Sequence, residues 1–92
     1  MDIQDIDVYI ISPHHRLQWE EAQAGYVILF PEGMVKLNSS AGEILSLVDG
    51  QRSVADIVSA LQTRFPDIEN IATDITSMLK LALDKAWLQR IN

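Results

Sequence analysis

Two adjacent histidines, His14 and His15, are the side chains in this 92-residue sequence that most resemble metal ligands. Successive side chains of a strand point to opposite sides, so this pair is poorly placed to chelate one ion. The chain contains no cysteine, which excludes disulfides, thiolate catalysis and cysteine-ligated zinc or iron–sulfur clusters. The sequence therefore predicts neither a metal site nor a cofactor.

Carboxylates and serines give equally weak signals of catalysis. Glu20 and Glu21 are adjacent acids, but an acid–base pair needs a cleft that so small a domain hardly offers. Ser39, Ser40 or Ser53 could stand for the serine at a helix start that carries phosphopantetheine in carrier proteins. A carrier would be mostly helical, whereas this chain begins with strand-like segments. We therefore predict a protein that is not an enzyme.

Composition narrows the class of protein further. A chain of 92 residues with 48% hydrophobic residues is one domain with its own core. Its net charge of -6 repels a phosphate backbone, which argues against nucleic-acid binding. The longest apolar stretches, "VYII" and "YVILF", are far too short to span a membrane, and the acidic start "MDIQDID" is not a signal peptide. We expect a cytoplasmic location.

The first part of the chain has the alternation of β-strands. Residues 15–19 alternate between apolar and polar, 26–30 are rich in β-branched and aromatic side chains, and 34–37 form a short third segment. Pro31-Glu32-Gly33 predicts the turn between the last two strands, with a positive φ at Gly33. The simplest arrangement is an antiparallel meander in which 34–37 is an edge strand.

From Asn38 onward, apolar residues recur at helical spacing. Asn38 or Ser39 can cap a first helix, which we expect to end at Asp49-Gly50 because glycine tolerates the backbone conformation that follows a helix. Ser53 and Asp56 have the spacing of a capping box and predict the start of a second helix.

The second helix should end at Pro66, after which Asp67 can cap a third helix over about 68–86. The segment 87–91 forms either a final short strand or a tail packed on the helices. These elements predict an α+β fold close to a winged helix-turn-helix, with a three-stranded antiparallel sheet followed by a three-helix bundle.

The single domain, 1–92, divides into an N-terminal arm (1–13), the sheet (14–37) and the helical part (38–92). The arm contains "VYIISP", which is too apolar for a loose tail, and strand 26–30 is apolar on both faces. We expect either that the arm folds over its own sheet or that a second copy covers the sheet, which would make the protein a homodimer.

One long stretch resembles a known family. Residues 16–61, "RLQWEEAQAGYVILFPEGMVKLNSSAGEILSLVDGQRSVADIVSAL", are similar to the PqqD family, the peptide chaperones of pyrroloquinoline quinone biosynthesis. The telling pieces are "PEG" (31–33), "LN" leading into "AGEIL" (37–45), and "DG" followed by "SVADIV" (49–58). Each piece is ordinary turn or cap chemistry, so it is their order and spacing that carry the resemblance.

The resemblance implies a non-catalytic recognition domain. The wider family, the RiPP recognition elements, binds the leader part of a ribosomally made precursor peptide and presents it to a modifying enzyme. In PqqD-like proteins the peptide is PqqA, and the enzyme is the radical S-adenosylmethionine protein PqqE, which joins a Glu and a Tyr of that peptide. The peptide adds as a strand beside the third β-strand, in a groove bounded by the third helix.

The same site follows from physical reasoning, because an edge strand presents free N–H and C=O groups that can pair with an extended peptide. Side chains of the third helix would then supply specificity, and Lys36 and Lys85 could meet acidic residues of the peptide. On pattern alone, Met78 could equally be a core residue, and Leu81 a core residue or a subunit contact. The predicted peptide-binding residues are Met34, Val35, Lys36, Leu37, Asp74, Ser77, Met78, Leu81 and Lys85.

Alternative functions separate into three classes. A DNA-binding winged helix is disfavoured, because positions 67–85 carry four acidic residues against two lysines. Backbone pairing is permissive, so the leader peptide of a different RiPP pathway is an alternative ligand. A structural or carrier role unrelated to pyrroloquinoline quinone is the third possibility.

Overall fold

Two antiparallel sheets and three helices make up the fold of residues 2–92, which the computed structural model describes. A three-stranded sheet in the order β2-β3-β4 precedes the helices, which confirms the predicted α+β fold. A short 3₁₀ helix, Glu21–Gln23, joins β2 to β3. The elements are β1 (Tyr9–Ile11), β2 (Arg16–Glu20), β3 (Gly25–Phe30), β4 (Gly33–Lys36), α1 (Ser39–Leu45), α2 (Val54–Arg64), α3 (Ile71–Asp84) and β5 (Leu88–Arg90).

The three-stranded sheet has a core face and an outer face. Ile28 lies opposite Leu17 and Val35, and this row points towards the helices. Val27, in register with Gln18 and Lys36, belongs to the outer face and is nevertheless only 1% exposed. A second copy of the chain is therefore not needed to bury Val27.

The turn between β3 and β4 differs in one detail from the prediction. Gly33 pairs with Phe30 and is already part of β4, and among residues 2–92 the one glycine with a positive φ is Gly50. The predicted positive φ at Gly33 is therefore wrong, because the chain has completed its reversal at Pro31 and Glu32.

Helix α1 begins as predicted and ends earlier. The Asn38 side chain accepts a hydrogen bond from the backbone N–H of Ala41, at 2.8 Å, and so caps the helix. The helix ends at Leu45 rather than at Asp49-Gly50, because Leu47 and Val48 donate to Ile44 and Leu45 in the tighter i to i+3 pattern. Gly50, with a φ of 78°, instead turns the chain against β1.

Helix α2 begins with the predicted capping box, in which Ser53 and Asp56 each accept from the other's backbone N–H. Helix α3 begins at Ile71, three residues later than predicted, and Asp67 is not its cap. Its N-cap is Asn70, which has a φ of 58° and makes no side-chain capping bond. Asparagine tolerates this left-handed conformation better than most residues, so the chain can turn sharply before the helix starts.

The N-terminal arm pairs with the other end of the chain. Strand β1 runs antiparallel to β5, with Tyr9 opposite Arg90, so segment 87–91 contains a strand. The arm therefore pairs with β5 and not with a strand of the three-stranded sheet. Tyr9 is 3% exposed and joins the hydrophobic core.

The helices cover the core face of the sheet at close range. A Cβ atom added to Gly42 of α1 would lie 2.9 Å from a ring atom of Tyr26, so glycine permits α1 to approach β3. Leu79 and Ala82 of α3 are fully buried, as the predicted core face requires. Within residues 2–92, every helix is too short or too polar to cross a lipid bilayer.

Candidate functional site

Strand β4 has a free backbone edge. Leu37 donates its N–H to the carbonyl oxygen of Tyr26 at 3.0 Å, which fixes the alternation of hydrogen bonds between β3 and β4. In an antiparallel pair, both backbone groups of alternate residues point away from the partner strand. Those residues are here Met34 and Lys36, and within the described part of the chain no strand pairs with them on that side.

Strand β2 is the opposite edge of the same sheet. Because the backbone groups of Ile28 point towards β4, those of Val27 and Leu29 point towards β2. On β2 itself, the groups of Leu17 and Trp19 then face outward. The sheet therefore has two edges of similar length, which differ in the side chains beside them.

The side chains of β4 divide between the two faces of the sheet. Met34 is 46% exposed, and Lys36 is also exposed. Val35 and Leu37 are half-buried and pack against the hydrophobic core. The side chains of a strand added beside β4 would therefore lie alternately next to the core-facing and the outward-facing side chains of β4.

The predicted residues of α3 lie along one side of the helix, here called the α3 flank: Asp74, Ser77, Met78, Leu81 and Lys85. Leu81 is 45% exposed, whereas Leu79 is fully buried, so the interpretation of Leu81 as a core residue is wrong. Met78 is half-buried and packs against the core. The other three are exposed.

Strand β4 and the α3 flank share one hydrophobic core and have no polar bond between them. Val35, Leu37 and Met78 all pack against the same buried cluster. Within residues 2–92, no hydrogen bond or ion pair links β4 to the flank, and the ion pairs involve neither Lys36 nor Lys85. Both ammonium groups are thus free to meet a ligand.

Two of the residues first considered for metal binding or catalysis, His15 and Glu20, make local contacts. His15 places Nδ1 3.0 Å from the carbonyl oxygen of Pro13, and its ring lies 5.8 Å from that of Phe30. Glu20 accepts a hydrogen bond from Gln18. In the described range, no three His, Cys, Asp or Glu side chains cluster in a way that could hold a metal ion.

A buried carboxylate was missed by sequence reasoning. Asp7 is 3% exposed and accepts hydrogen bonds from the Tyr9 hydroxyl, at 2.9 Å, and from the backbone N–H of Gln4. The Arg90 guanidinium lies 3.6 Å from its other oxygen. Burial, together with the bond to Asp7, raises the pKa of Tyr9 to about 12. The spacing of Asp7 and Tyr9, two residues apart in a strand-like segment, was the available signal.

A second missed feature is a groove between the helices, here called the three-helix groove. It has a volume of about 380 Å³ and is bounded by the start of α1, the end of α2 and the first half of α3. Ser39, Ser40, Glu43 and Asp74 stand among its lining residues. Its apolar walls are formed by Ile44, Leu61, Phe65, Ile68, Ile71 and Ile75.

Comparison with known proteins identifies relatives of this chain. Residues 25–88 match the family described as Coenzyme PQQ synthesis protein D (PqqD). The chain is 55% identical over 90 residues to a PqqA binding protein of Pseudomonas aeruginosa strain UCBPP-PA14, covering 97% of this chain and 98% of the relative. It is 44% identical over 91 residues to a PqqA binding protein of Methylococcus capsulatus, covering 99% and 97%.

A solved structure extends the similarity to the fold. It is the solution NMR structure of the PqqD part of Methylobacterium extorquens PqqCD, described as a functional, stand-alone RiPP recognition element. The match has a TM-score of 0.78 and 30% identity and covers 96% of this chain and 95% of the other. These relatives are named for binding and recognition rather than catalysis, which confirms that the protein is not an enzyme. The chain belongs to the PqqD family.

Proposed function

We propose that this chain binds the precursor peptide PqqA by strand addition at β4 and delivers it to the radical S-adenosylmethionine enzyme PqqE. The observation that carries the proposal is the free edge of β4, where the backbone groups of Met34 and Lys36 point away from β3. The names of the relatives support PqqA as the ligand. The name of the structural neighbour supports a recognition role.

Affinity and specificity come from different parts of this site. Backbone pairing stabilises an added strand with little demand on its sequence. Specificity then depends on the α3 flank, where Leu81 is 45% exposed and Met78 offers a flexible thioether. Lys36 and Lys85 can meet carboxylates of the peptide, although exposed ion pairs typically contribute only about 0–1 kcal/mol each.

Two leucines of α3 separate binding from folding. Leu81→Asp places a charge on an exposed position, so we expect a free energy of unfolding within about 0.5 kcal/mol of wild type. We expect its affinity for synthetic PqqA to fall about tenfold, because the exposed apolar surface that the peptide would cover is lost. Leu79→Asp buries a charge at a fully buried position and should unfold the domain.

Calorimetric titration with PqqA and urea denaturation measure the two effects. Wild-type affinity in Leu81→Asp would contradict a role of the α3 flank in binding. A leader peptide from another RiPP pathway serves as the comparison ligand, and tighter binding of that peptide would assign the chain to that pathway. Delivery predicts that the chain accelerates the joining of Glu and Tyr in PqqA by PqqE, and that Leu81→Asp reduces this acceleration.

A further inference from the structure

The three-helix groove is shaped for an apolar side chain. Its volume of about 380 Å³ is ample for a large apolar side chain. Leu61 and Ile75 form a fully buried floor, while Ile68 at the rim is 48% exposed. A pocket walled almost entirely by hydrocarbon gives ordered water few hydrogen-bond partners, so it favours an apolar occupant.

The lining of the groove begins close to the end of β4 along the chain. Only Leu37 and Asn38 separate Lys36, the last residue of β4, from Ser39 in the groove lining. A peptide paired with β4 that continues past Lys36 reaches the groove within about four residues, at about 3.3 Å per residue. Asp74 belongs both to the groove lining and to the α3 flank, so the two surfaces are continuous.

The rim of the groove carries negative charge. Glu43 is already paired with Arg64, whose Nη1 lies 2.6 Å from its carboxylate. Asp74 is exposed, and within residues 2–92 none of the ion pairs includes it. A basic residue of a bound chain would therefore find a carboxylate beside the groove, whereas an acidic one would be repelled.

Building on the proposed function, we propose that the three-helix groove holds one large apolar side chain of the same precursor peptide, next in sequence to a lysine or arginine. This anchor lies beyond the stretch that pairs with β4. The peptide is thus held at two places, by its backbone at β4 and by one side chain among the helices. The side-chain contact in the groove discriminates between peptide sequences, whereas backbone pairing at β4 does not.

Isoleucine methyl groups report on the groove directly, because Ile44, Ile68, Ile71 and Ile75 all line it. We would label the δ1 methyl groups with ¹³C and the amides with ¹⁵N, and titrate the full chain with synthetic PqqA. The inference predicts shifts of the Ile68 and Ile71 methyls that saturate together with the amide shifts of β4. The Ile6 methyl, on the distant arm, should not move.

The other outcomes separate this inference from the proposed function. Amide shifts at β4 without groove methyl shifts would overturn the inference and leave strand addition standing. Methyl shifts without amide shifts at β4, or no shifts at all with a folded protein, would overturn both. Groove methyl shifts that appear on concentrating the protein alone would mean that a second copy fills the groove, which also overturns the inference.

Two matched substitutions test the contribution of the groove to affinity. Ile68 and Ile91 are 48% and 49% exposed, but only Ile68 lines the groove. Ile68→Asp should weaken PqqA binding about tenfold, since it removes apolar surface that the anchor would cover. Ile91→Asp should bind as wild type. Equal affinities of the two variants would overturn the inference.

The identity of the anchor follows from the peptide. Replacing the large apolar residues of PqqA by alanine one at a time should abolish the groove methyl shifts at a single position while the β4 amide shifts persist. Asp74→Lys should weaken binding, and changing the basic residue beside that anchor to glutamate should restore it. If no single alanine replacement abolished the groove methyl shifts, the peptide would have no unique anchor, and the inference would be contradicted.

Discussion

Strands β1 and β4 differ in whether the backbone groups on their outer sides have hydrogen-bond partners. Strand β1 is paired with β5 on one side. On its other side, the carbonyl oxygens of Tyr9 and Asp7 accept hydrogen bonds from the backbone N–H groups of Gly50 and Val54. Strand β4 has β3 on one side and, within residues 2–92, no strand on the other. The rest of the chain thus covers part of the outer side of β1 and leaves that of β4 available.

Side chains reinforce the closed region. Asp7 holds Tyr9 and lies near Arg90, which ties β1 to β5. The Asn92 side chain accepts from the N–H of Val8 at 2.9 Å and donates to the carbonyl oxygen of Ile6 at 2.7 Å. An exposed edge invites pairing with another chain, so the uncovered edge of β4 is a surface suited to strand addition.

The largest expected effect concerns the closed region. Tyr9→Ala should lower the free energy of unfolding by about 3–5 kcal/mol, as for other large aromatic side chains removed from a core. Tyr9→Phe keeps the ring and loses the bond to the buried Asp7 carboxylate, which should cost about 1.5–3 kcal/mol. Urea denaturation measures both. PqqA affinity of the folded Tyr9→Phe variant should equal that of wild type, and a loss would mean that the arm takes part in binding.

Proline substitutions in β4 test the open region with a smaller effect. The N–H of Val35 points towards β3 and that of Lys36 points outward. Val35→Pro should therefore destabilise the sheet, whereas Lys36→Pro should fold and bind PqqA about two- to tenfold more weakly, the effect of one lost hydrogen bond. Thermal unfolding and titration distinguish the two. Equal loss of stability in the two variants would contradict the assignment of the Val35 N–H to the inner side and of the Lys36 N–H to the outer side of β4.

The last expected effect is a dependence of stability on alkaline pH. Because the pKa of Tyr9 is raised from 10.0 to about 12, the unfolded chain loses this proton before the folded chain does. The stability that Tyr9 contributes is complete below pH 10 and is lost as the pH rises towards 12. Urea midpoints across this range should fall more steeply for wild type than for Tyr9→Phe. If the urea midpoints of the two proteins fell in parallel, Tyr9 would not be the cause of the pH dependence.

Local patterns were sufficient for much of the fold. Alternation located the three-stranded sheet, and the capping box of Ser53 and Asp56 located the start of α2. The helical phase correctly separated exposed Leu81 from buried Leu79. The C-terminal end of α1 and the start of α3 were predicted at the wrong residues. Tight turns and the left-handed conformation of Asn70 depend on packing as well as on local preference.

Features that join distant parts of the chain could not be predicted. The pairing of Tyr9 with Arg90 links residues near the two ends, and local periodicity carries no information about such partners. The three-helix groove lies where α1, α2 and α3 meet, so the sequence of any one of these helices does not predict it. The edge position of 34–37 was predictable, because a meander of three strands leaves its last strand at an edge.

Amide hydrogen exchange of β4, resolved by NMR with and without saturating PqqA, tests the central claim most directly. Strand addition predicts that the outward amides of Met34 and Lys36 become protected. The outward amides of Leu17 and Trp19, on the opposite edge of the sheet, should be unchanged. If Met34 and Lys36 exchange at the same rate when the peptide is bound, the peptide does not pair with β4, and the account is contradicted.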